Sequence, residues 1–284
     1  MKAYIFPNLN KDFSLECTKE AVDILSNLGY EISMRNELTE AFADLSNVVF
    51  CDHELAVKEC DVIVTIGGDG TILRIASLAA KHNKKLLGVN CGRLGFMTSH
   101  ERGELEKLSY LVNGDYNTES RMLLDCIIKK KSGEVISLTA LNDIAINHGF
   151  NYYISDFTVT ANSTTVSSLR ADGLIFSTPT GATAYSLSAG GPLIDPTIDC
   201  IEFTQICPHS LSARTMIFSA EKELEVSINA SGCVGVSIDG NSPVEVTEED
   251  KIIIKRSELR LDLIDIRKNN YYYSIGKKLM NSND

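Results

Sequence analysis

The sequence predicts an α/β N-terminal domain, doubly wound around a mostly parallel sheet, followed by a β-rich C-terminal domain. Three observations predict this. Up to about residue 121, strand-like and helix-like stretches alternate. The strand-like stretches there are apolar throughout instead of alternating, as in a sheet covered on both faces. Beyond residue 121, short strands separated by turn residues take over.

Residues 3–6 (Ala-Tyr-Ile-Phe) read as the first strand. Residues 13–28 carry apolar side chains at helical spacing, and Gly29 ends that helix. Residues 30–33 read as a second strand. Residues 61–66 form an apolar strand that runs into Gly67-Gly68-Asp69-Gly70-Thr71. Ile72, Ile75, Ala76 and Ala79 then recur at helical spacing as far as His82 and Asn83. Residues 86–89 are another apolar strand. In the second half, strands are expected at 123–129, 135–140, 156–161, 165–169, 174–177, 222–228, 234–238, 251–256 and 260–264. Leu224, Val226 and Ile228 show period-two alternation, and Lys131-Ser132-Gly133 and Asp239-Gly240 supply turns.

Composition narrows the function. With 44% hydrophobic and 23% charged residues the chain is ordinary globular protein. A net charge of -11 leaves no basic footprint for nucleic acid. Any phosphate must therefore be handled by local groups: backbone amides, an arginine or a divalent cation. The apolar runs are too short to span a bilayer, and the N-terminal residues lack a signal-peptide pattern, so a cytoplasmic protein with no membrane partner is expected. The eight cysteines (Cys17, Cys51, Cys60, Cys91, Cys126, Cys200, Cys207 and Cys233) form no C-x-x-C pair and read as reduced, mostly buried thiols. Lys277 and Lys278 read as a solvated face. Tyr152-Tyr153 and Tyr271-Tyr272-Tyr273 read as interface or core.

Five motifs carry chemistry. In the 67–71 loop, Gly67, Gly68 and Gly70 let the backbone turn tightly and bring its N–H groups to a ligand. The loop opens a helix, where Thr71 can cap and the dipole favours an anion, which suits a polyphosphate. Asp69 departs from a plain phosphate loop. A carboxylate beside phosphates is repulsive unless it meets a cation or accepts a proton; the alternative is a turn in which it bonds backbone amides. The second motif, Asn90-Cys91-Gly92-Arg93-Leu94-Gly95-Phe96, is expected beside the first. There Asn90 could bond a ligand, and Phe96 could cover a base or pack in the core. The third is Asn142-Asp143, either an Asx turn or an amide and carboxylate for a nucleoside. The fourth runs from Arg170 and Asp172 to Pro192. It holds a hydroxyl-rich turn and a short helix of small residues that a flat ligand could approach. The fifth is Asp239-Gly240, a hairpin turn unless context adds a role.

Together these motifs resemble bacterial-type NAD kinases. Gly-Gly-Asp-Gly-Thr, Asn-x-Gly-x-Leu-Gly-Phe, Asn-Asp, the run from Asp172 to Pro192, and Pro208-His209-Ser210-Leu211-Ser212-x-Arg214 occur in that order along essentially the whole chain. The first loop alone is shared with lipid kinases and, more distantly, phosphofructokinases; the run from Asp172 is far more specific. The resemblance implies transfer of the terminal phosphoryl group of ATP to the 2′-hydroxyl of the adenosine ribose of NAD, giving NADP. It implies that Asp69 is the catalytic carboxylate and that Gly67, Gly68, Gly70 and Thr71 hold the donor phosphates. It assigns NAD to Asp69, Gly70, Phe96, Asn142, Asp143, Arg170, Asp172, Thr183, Ala184, Tyr185, Ser188 and Asp239, with Arg170 facing the new 2′-phosphate. It also implies magnesium or another divalent cation, a homodimer or homotetramer, and return of the C-terminal segment to the first domain. The domains are then 1–122 with 269–284, and 123–268. Asp143 stands where the family usually has Glu, a shorter arm toward the ribose, and Ala182 stands where Ser is usual, one hydroxyl fewer. Two other readings are a lipid or sugar kinase with the shared loop, and a non-catalytic NAD(P)-binding regulator. Asn142-Asp143 and the 178–188 run disfavour the first. Asp69 disfavours the second, since a mere binder gains nothing from a carboxylate near phosphates.

Overall fold

A computed structural model of the chain describes residues 1–92, 95–148, 154–229, 234–268 and 270–280. Arg93 and Leu94 of the second motif, Tyr152, Tyr153 and Cys233 lie outside the described residues. The chain divides into two compact units, Met1–Ser120 with Leu261–Asp284, and Arg121–Arg260. The return to the first unit comes at Leu261, inside a strand, and not at 269.

In the first unit β1 (Lys2–Pro7), α1 (Ser14–Asn27), β2 (Glu31–Arg35), β3 (Val48–Cys51), α2 (His53–Glu59), β4 (Val62–Gly67), α3 (Asp69–Lys81), β5 (Lys85–Asn90), the two-residue β6 (His100–Glu101) and α4 (Tyr110–Asn113) follow in order. Strand β7 (Asn117–Lys129) leads into the second unit. There follow β8 (Val135–Ala140), β9 (Asp143–Asn147), β10 (Ser155–Ala161), β11 (Thr164–Ala171), β12 (Gly173–Ser177), α5 (Tyr185–Ser188), β13 (Cys200–Ile206), β14 (Met216–Ser219), β15 (Leu224–Asn229), β16 (Val234–Ile238) and β17 (Val244–Val246). Strand β18 (Lys251–Asp265) carries the chain back, and α6 (Asn270–Ile275) with a wide final turn, Gly276–Met280, ends the described chain.

The sheet of the first unit is parallel, in the order β5-β4-β1-β2-β3. Its central strands are buried on both faces: every residue of β4 is buried, as are all but the first of β1 and β5. Helix α1 covers one face. Its Cys17, Ala21, Val22 and Leu25 are fully buried in the core that also holds Ile5, Val64 and Leu87. Removing a side chain such as Leu25 from water stabilises the fold by about 2 kcal/mol. Gly29, with φ of 83°, turns the chain out of α1. The end of β18 adds to the sheet in parallel, with Leu263 opposite Leu86 of β5.

The strands of the second unit pair antiparallel in two sets, and β7 pairs with β8 in the same sense. One set of strands runs β11-β10-β15-β18 and the other β14-β13-β12-β9-β16-β17. Inward-facing residues of both, among them Phe157, Val226, Ile144 and Phe176, form one core. Phe176 and Phe203 stack there at 5.1 Å.

The sequence reading misses β3, α2, β6, α4, β9, β13, β14, β17 and α6. Strand β13 shows why: it is buried yet carries Glu202, Thr204 and Gln205, so no apolar run marks it. Strand β18 is one strand where two were expected, because Ser257, Glu258 and Leu259 stay extended. Among the described residues no helix is long and apolar enough to cross a membrane.

Candidate active site

From β1 the chain passes to β2 and β3 on one side, then crosses to β4 on the other. In open parallel sheets, ligand crevices form where the winding reverses, beyond the carboxyl ends of the strands. A cleft of about 730 Å³ opens there. It is lined by Asn8 and Lys11 after β1, by the 67–71 loop after β4, by Asn90, Gly92 and Gly95 after β5, and by Lys278.

Asp69 begins α3, and Gly68 before it is extended. The Asp69 carboxylate accepts three consecutive backbone N–H groups. Phe96 donates to Oδ2 at 2.7 Å, and Met97 and Thr98 donate to Oδ1 at 3.1 and 3.2 Å. A carboxylate offers about four acceptor positions, so one on Oδ2 remains. The contact demands glycine at 95: a Cβ there would fall 2.1 Å from Asp69 Oδ1. Thr71, expected as the helix cap, stands inside the helix, where its buried hydroxyl accepts the Gly68 N–H at 3.3 Å. The amides of Asp69 and Gly70, in the first helical turn, lack intrahelical acceptors and suit an anion. Asn90, a candidate ligand-bonding amide, instead closes its own loop: Oδ1 accepts from Gly92 N–H at 3.0 Å. Phe96 is partly buried, and the Lys278 ammonium lies 4.1 Å from its ring centre.

The second unit repeats the three-amide motif. Asp239 and Gly240 both have positive φ, 50° and 73°, and Asn241 N–H closes the turn onto Ile238 O at 2.9 Å. The Asp239 carboxylate accepts from the N–H groups of Leu141, Asn142 and Asp143 at 2.8, 2.7 and 3.1 Å. From the other side Thr178 donates its hydroxyl to Leu141 O at 2.6 Å and its amide to Asn142 O at 2.9 Å. Asn142 and Asp143 are thus gripped through their backbones and their side chains are left for other work. The Asn142 Oδ1 is buried without a partner among the described residues. Asp143 is 6% exposed; burial first, then the charges of Asp239 and Glu202, push its carboxyl up to about 7. Burial also raises Asp239, against the pull of its three amides, and raises the fully buried Glu202. Glu202 Oε1 accepts the Ser186 hydroxyl at 2.6 Å, which fixes α5 from beneath. On the same helix Tyr185 is exposed, and its hydroxyl is raised by partial burial and by Asp143 and Asp172 nearby. Asp172 lies 3.8 Å from the His148 ring.

Residues 4–116 match the ATP-NAD kinase N-terminal domain family and residues 141–266 the ATP-NAD kinase C-terminal domain family. The NAD kinase of Caldanaerobacter subterraneus is 36% identical over 98% of both chains. That of Acetivibrio thermocellus is 34% identical over 96% of this chain and 94% of its own. The chain belongs to the NAD kinase family. It is a phosphotransferase, and its activity is the ATP-dependent phosphorylation of NAD. Two solved structures share the fold. Yeast NADH kinase complexed with NADH has a TM-score of 0.92 at 26% identity, covering 100% of this chain and 88% of its own. An NAD kinase from Archaeoglobus fulgidus in complex with ATP has a TM-score of 0.78 at 25% identity, covering 98% of each.

Within this chain the candidate residues fall into two groups. The first unit gathers Gly67, Gly68, Asp69, Gly70, Thr71 and Phe96. The second gathers Asn142, Asp143, Asp239, Asp172 and Tyr185. Thr183 is half-buried and donates its hydroxyl back to Thr180 O at 3.3 Å, while Ala184 marks the break before α5 and Ser188 is exposed. Arg170 stands apart: it makes a two-pronged pair with Asp156 at 2.9 and 2.8 Å on the exposed face of β10 and β11. Ala182 is buried against Ile194 and Cys200, so the hydroxyl this position lacks would have entered an apolar cluster. Glu202 and Lys278 were not foreseen. An acid inside an otherwise apolar stretch, Cys200-Ile201-Glu202-Phe203, was the available signal for the first.

Proposed function

We propose that Asp69 is the proton acceptor of the reaction and that the 67–71 loop holds the donor phosphates. The observation that carries this is the Asp69 carboxylate, pinned by three amides at the mouth of α3 with one acceptor position unfilled, in the cleft at the winding reversal. In the step, the ribose 2′-oxygen forms a bond to the γ-phosphorus of ATP as the bond to the β,γ-bridging oxygen breaks. The hydroxyl proton passes to Asp69 Oδ2 and ADP leaves. The amides of Asp69 and Gly70 face the charge that develops on the transferred group, since phosphoryl transfer rests on positioning and electrostatics. Magnesium enters with the nucleotide as part of the substrate, held largely by phosphate oxygens. Among the described residues no group of three or more His, Cys, Asp or Glu side chains could hold a metal ion.

In the second unit, the unpartnered Asn142 amide and the buried Asp143 suit the adenosine base and ribose hydroxyls, and Tyr185, Ala184 and Asp172 suit the dinucleotide. Arg170 reaches the 2′-phosphate only by exchanging Asp156 for it. A cytoplasmic homodimer or homotetramer belongs to the same reading. The test is NADP formation from NAD and ATP with magnesium, read by an NADP-specific dehydrogenase. Product that needs all three supports the mechanism; product formed equally well without magnesium overturns its electrostatic part.

A further inference from the structure

We propose that Lys278, from the C-terminal segment, is a ligand for the polyphosphate of the donor; this rests on the reading of the 67–71 cleft as the donor site. Three observations carry it. First, the segment is fastened to the cleft. Ser274 is fully buried and donates its hydroxyl to Gly95 O at 2.8 Å. Gly95 is the residue packed against the Asp69 carboxylate, and Phe96, next in sequence, donates an N–H to it. Second, Lys278 follows Ser274 by four residues, about one helical turn, and so comes to the same side of the segment. Its ammonium lies 4.1 Å from the centre of the Phe96 ring and it lines the same cleft as Gly67, Gly68 and Gly70. Third, the charge in that cleft is unbalanced for a polyphosphate. Its described lining sets Lys11 and Lys278 against Asp12 and Asp69, and loop amides alone carry only partial charges.

Among the described residues Lys278 makes no ion pair, and a ring face is a weak partner beside a phosphate oxygen. The ammonium can therefore leave Phe96 for the phosphates, and the flexible lysine stem permits the move. Lys277 behaves differently. It is exposed and held by Tyr273, whose hydroxyl bonds it and raises it.

The experiment measures binding of β,γ-methylene-ATP with magnesium, and of inorganic tripolyphosphate, to the full-length chain. NAD affinity and the thermal midpoint are measured alongside. Lys278→Gln should weaken both probes about ten-fold, the loss of one hydrogen bond to a charged group, with NAD affinity and thermal midpoint unchanged. Lys278→Arg should restore most of the loss, and Lys277→Gln should change neither probe. Gly70→Asp, where a side chain meets open space, puts a like charge in the loop and should weaken both probes as well. If Gly70→Asp weakens the probes and Lys278→Gln leaves them unchanged, the lysine proposal fails alone. If neither variant alters probe binding, the cleft is not the donor site. If Lys278→Gln weakens NAD and the probes together and lowers the midpoint, the lysine is structural and the proposal is overturned.

Discussion

Two aspartates, one in each unit, solve the same local problem and end with different capacities. Asp69 and Asp239 each accept three consecutive backbone amides, two on one oxygen and one on the other. Asp69 does this at the lip of an open cleft, at the start of a helix, among groups suited to anions. Asp239 does it at a hairpin tip beside two other carboxyls, Asp143 and Glu202, all three raised by burial. On the proposed reading the same hydrogen-bond pattern holds a proton acceptor in one unit, while in the other it fixes the backbone of Asn142 and Asp143 beside the dinucleotide. What separates them is the cleft beside one and the neighbouring carboxyls beside the other, not the motif.

Three substitutions sharpen or break that contrast. Asp239→Ala strands three amides at once, and each orphan costs 1–3 kcal/mol, so a loss of at least about 3 kcal/mol is expected in urea unfolding. A loss below 1 kcal/mol would mean that Asp239 is not the structural member. Gly95→Ala drives a Cβ into the Asp69 carboxylate. Displacing a reacting group by about an ångström lowers turnover on the order of 100-fold, and the thermal midpoint should move little. Turnover within two-fold of wild type would show that the position of Asp69 is immaterial to the chemistry.

The smallest effect is the pH dependence of Asp143. Its carboxyl ionises near pH 4 in the unfolded chain and at about 7 in the fold. Between those values the native state holds a proton that the unfolded state lacks, so its contribution is full below pH 4 and is lost as pH rises through 7. Between pH 6 and 8 wild-type stability should fall by about 1.4 kcal/mol more than that of Asp143→Asn. Parallel profiles for the two proteins would place the titration elsewhere.

How much of this was legible in the sequence follows from where the signals lie. The parallel sheet was, because β1, β4 and β5 are apolar runs and the glycine loop interrupts one of them. Asp69 stood out because a carboxylate among glycines has few structural uses. Its bonding to backbone amides was one of the two readings, and the 90–96 loop was expected beside it, but that residues 96–98 would supply all three N–H groups depends on a tertiary approach that local sequence does not specify. Asp239-Gly240 was readable as a turn, but its grip on residues 141–143 required the pairing of β9 with β16. Glu202 was hidden by the buried polar residues of β13, and Lys278 looked like any tail lysine until the Ser274 contact placed it at the cleft.

The most direct test of the central claim is Asp69→Asn, comparing turnover with the dissociation constants of NAD and β,γ-methylene-ATP. The asparagine oxygen can still accept from Met97 and Thr98, so the loop loses one bond to Phe96 and keeps its place. If Asp69 accepts the hydroxyl proton, turnover falls at least about 100-fold while both dissociation constants stay within about three-fold. Turnover near wild type, or a loss matched by equal losses in the binding of both ligands, would contradict the role and leave Asp69 a structural pin like Asp239.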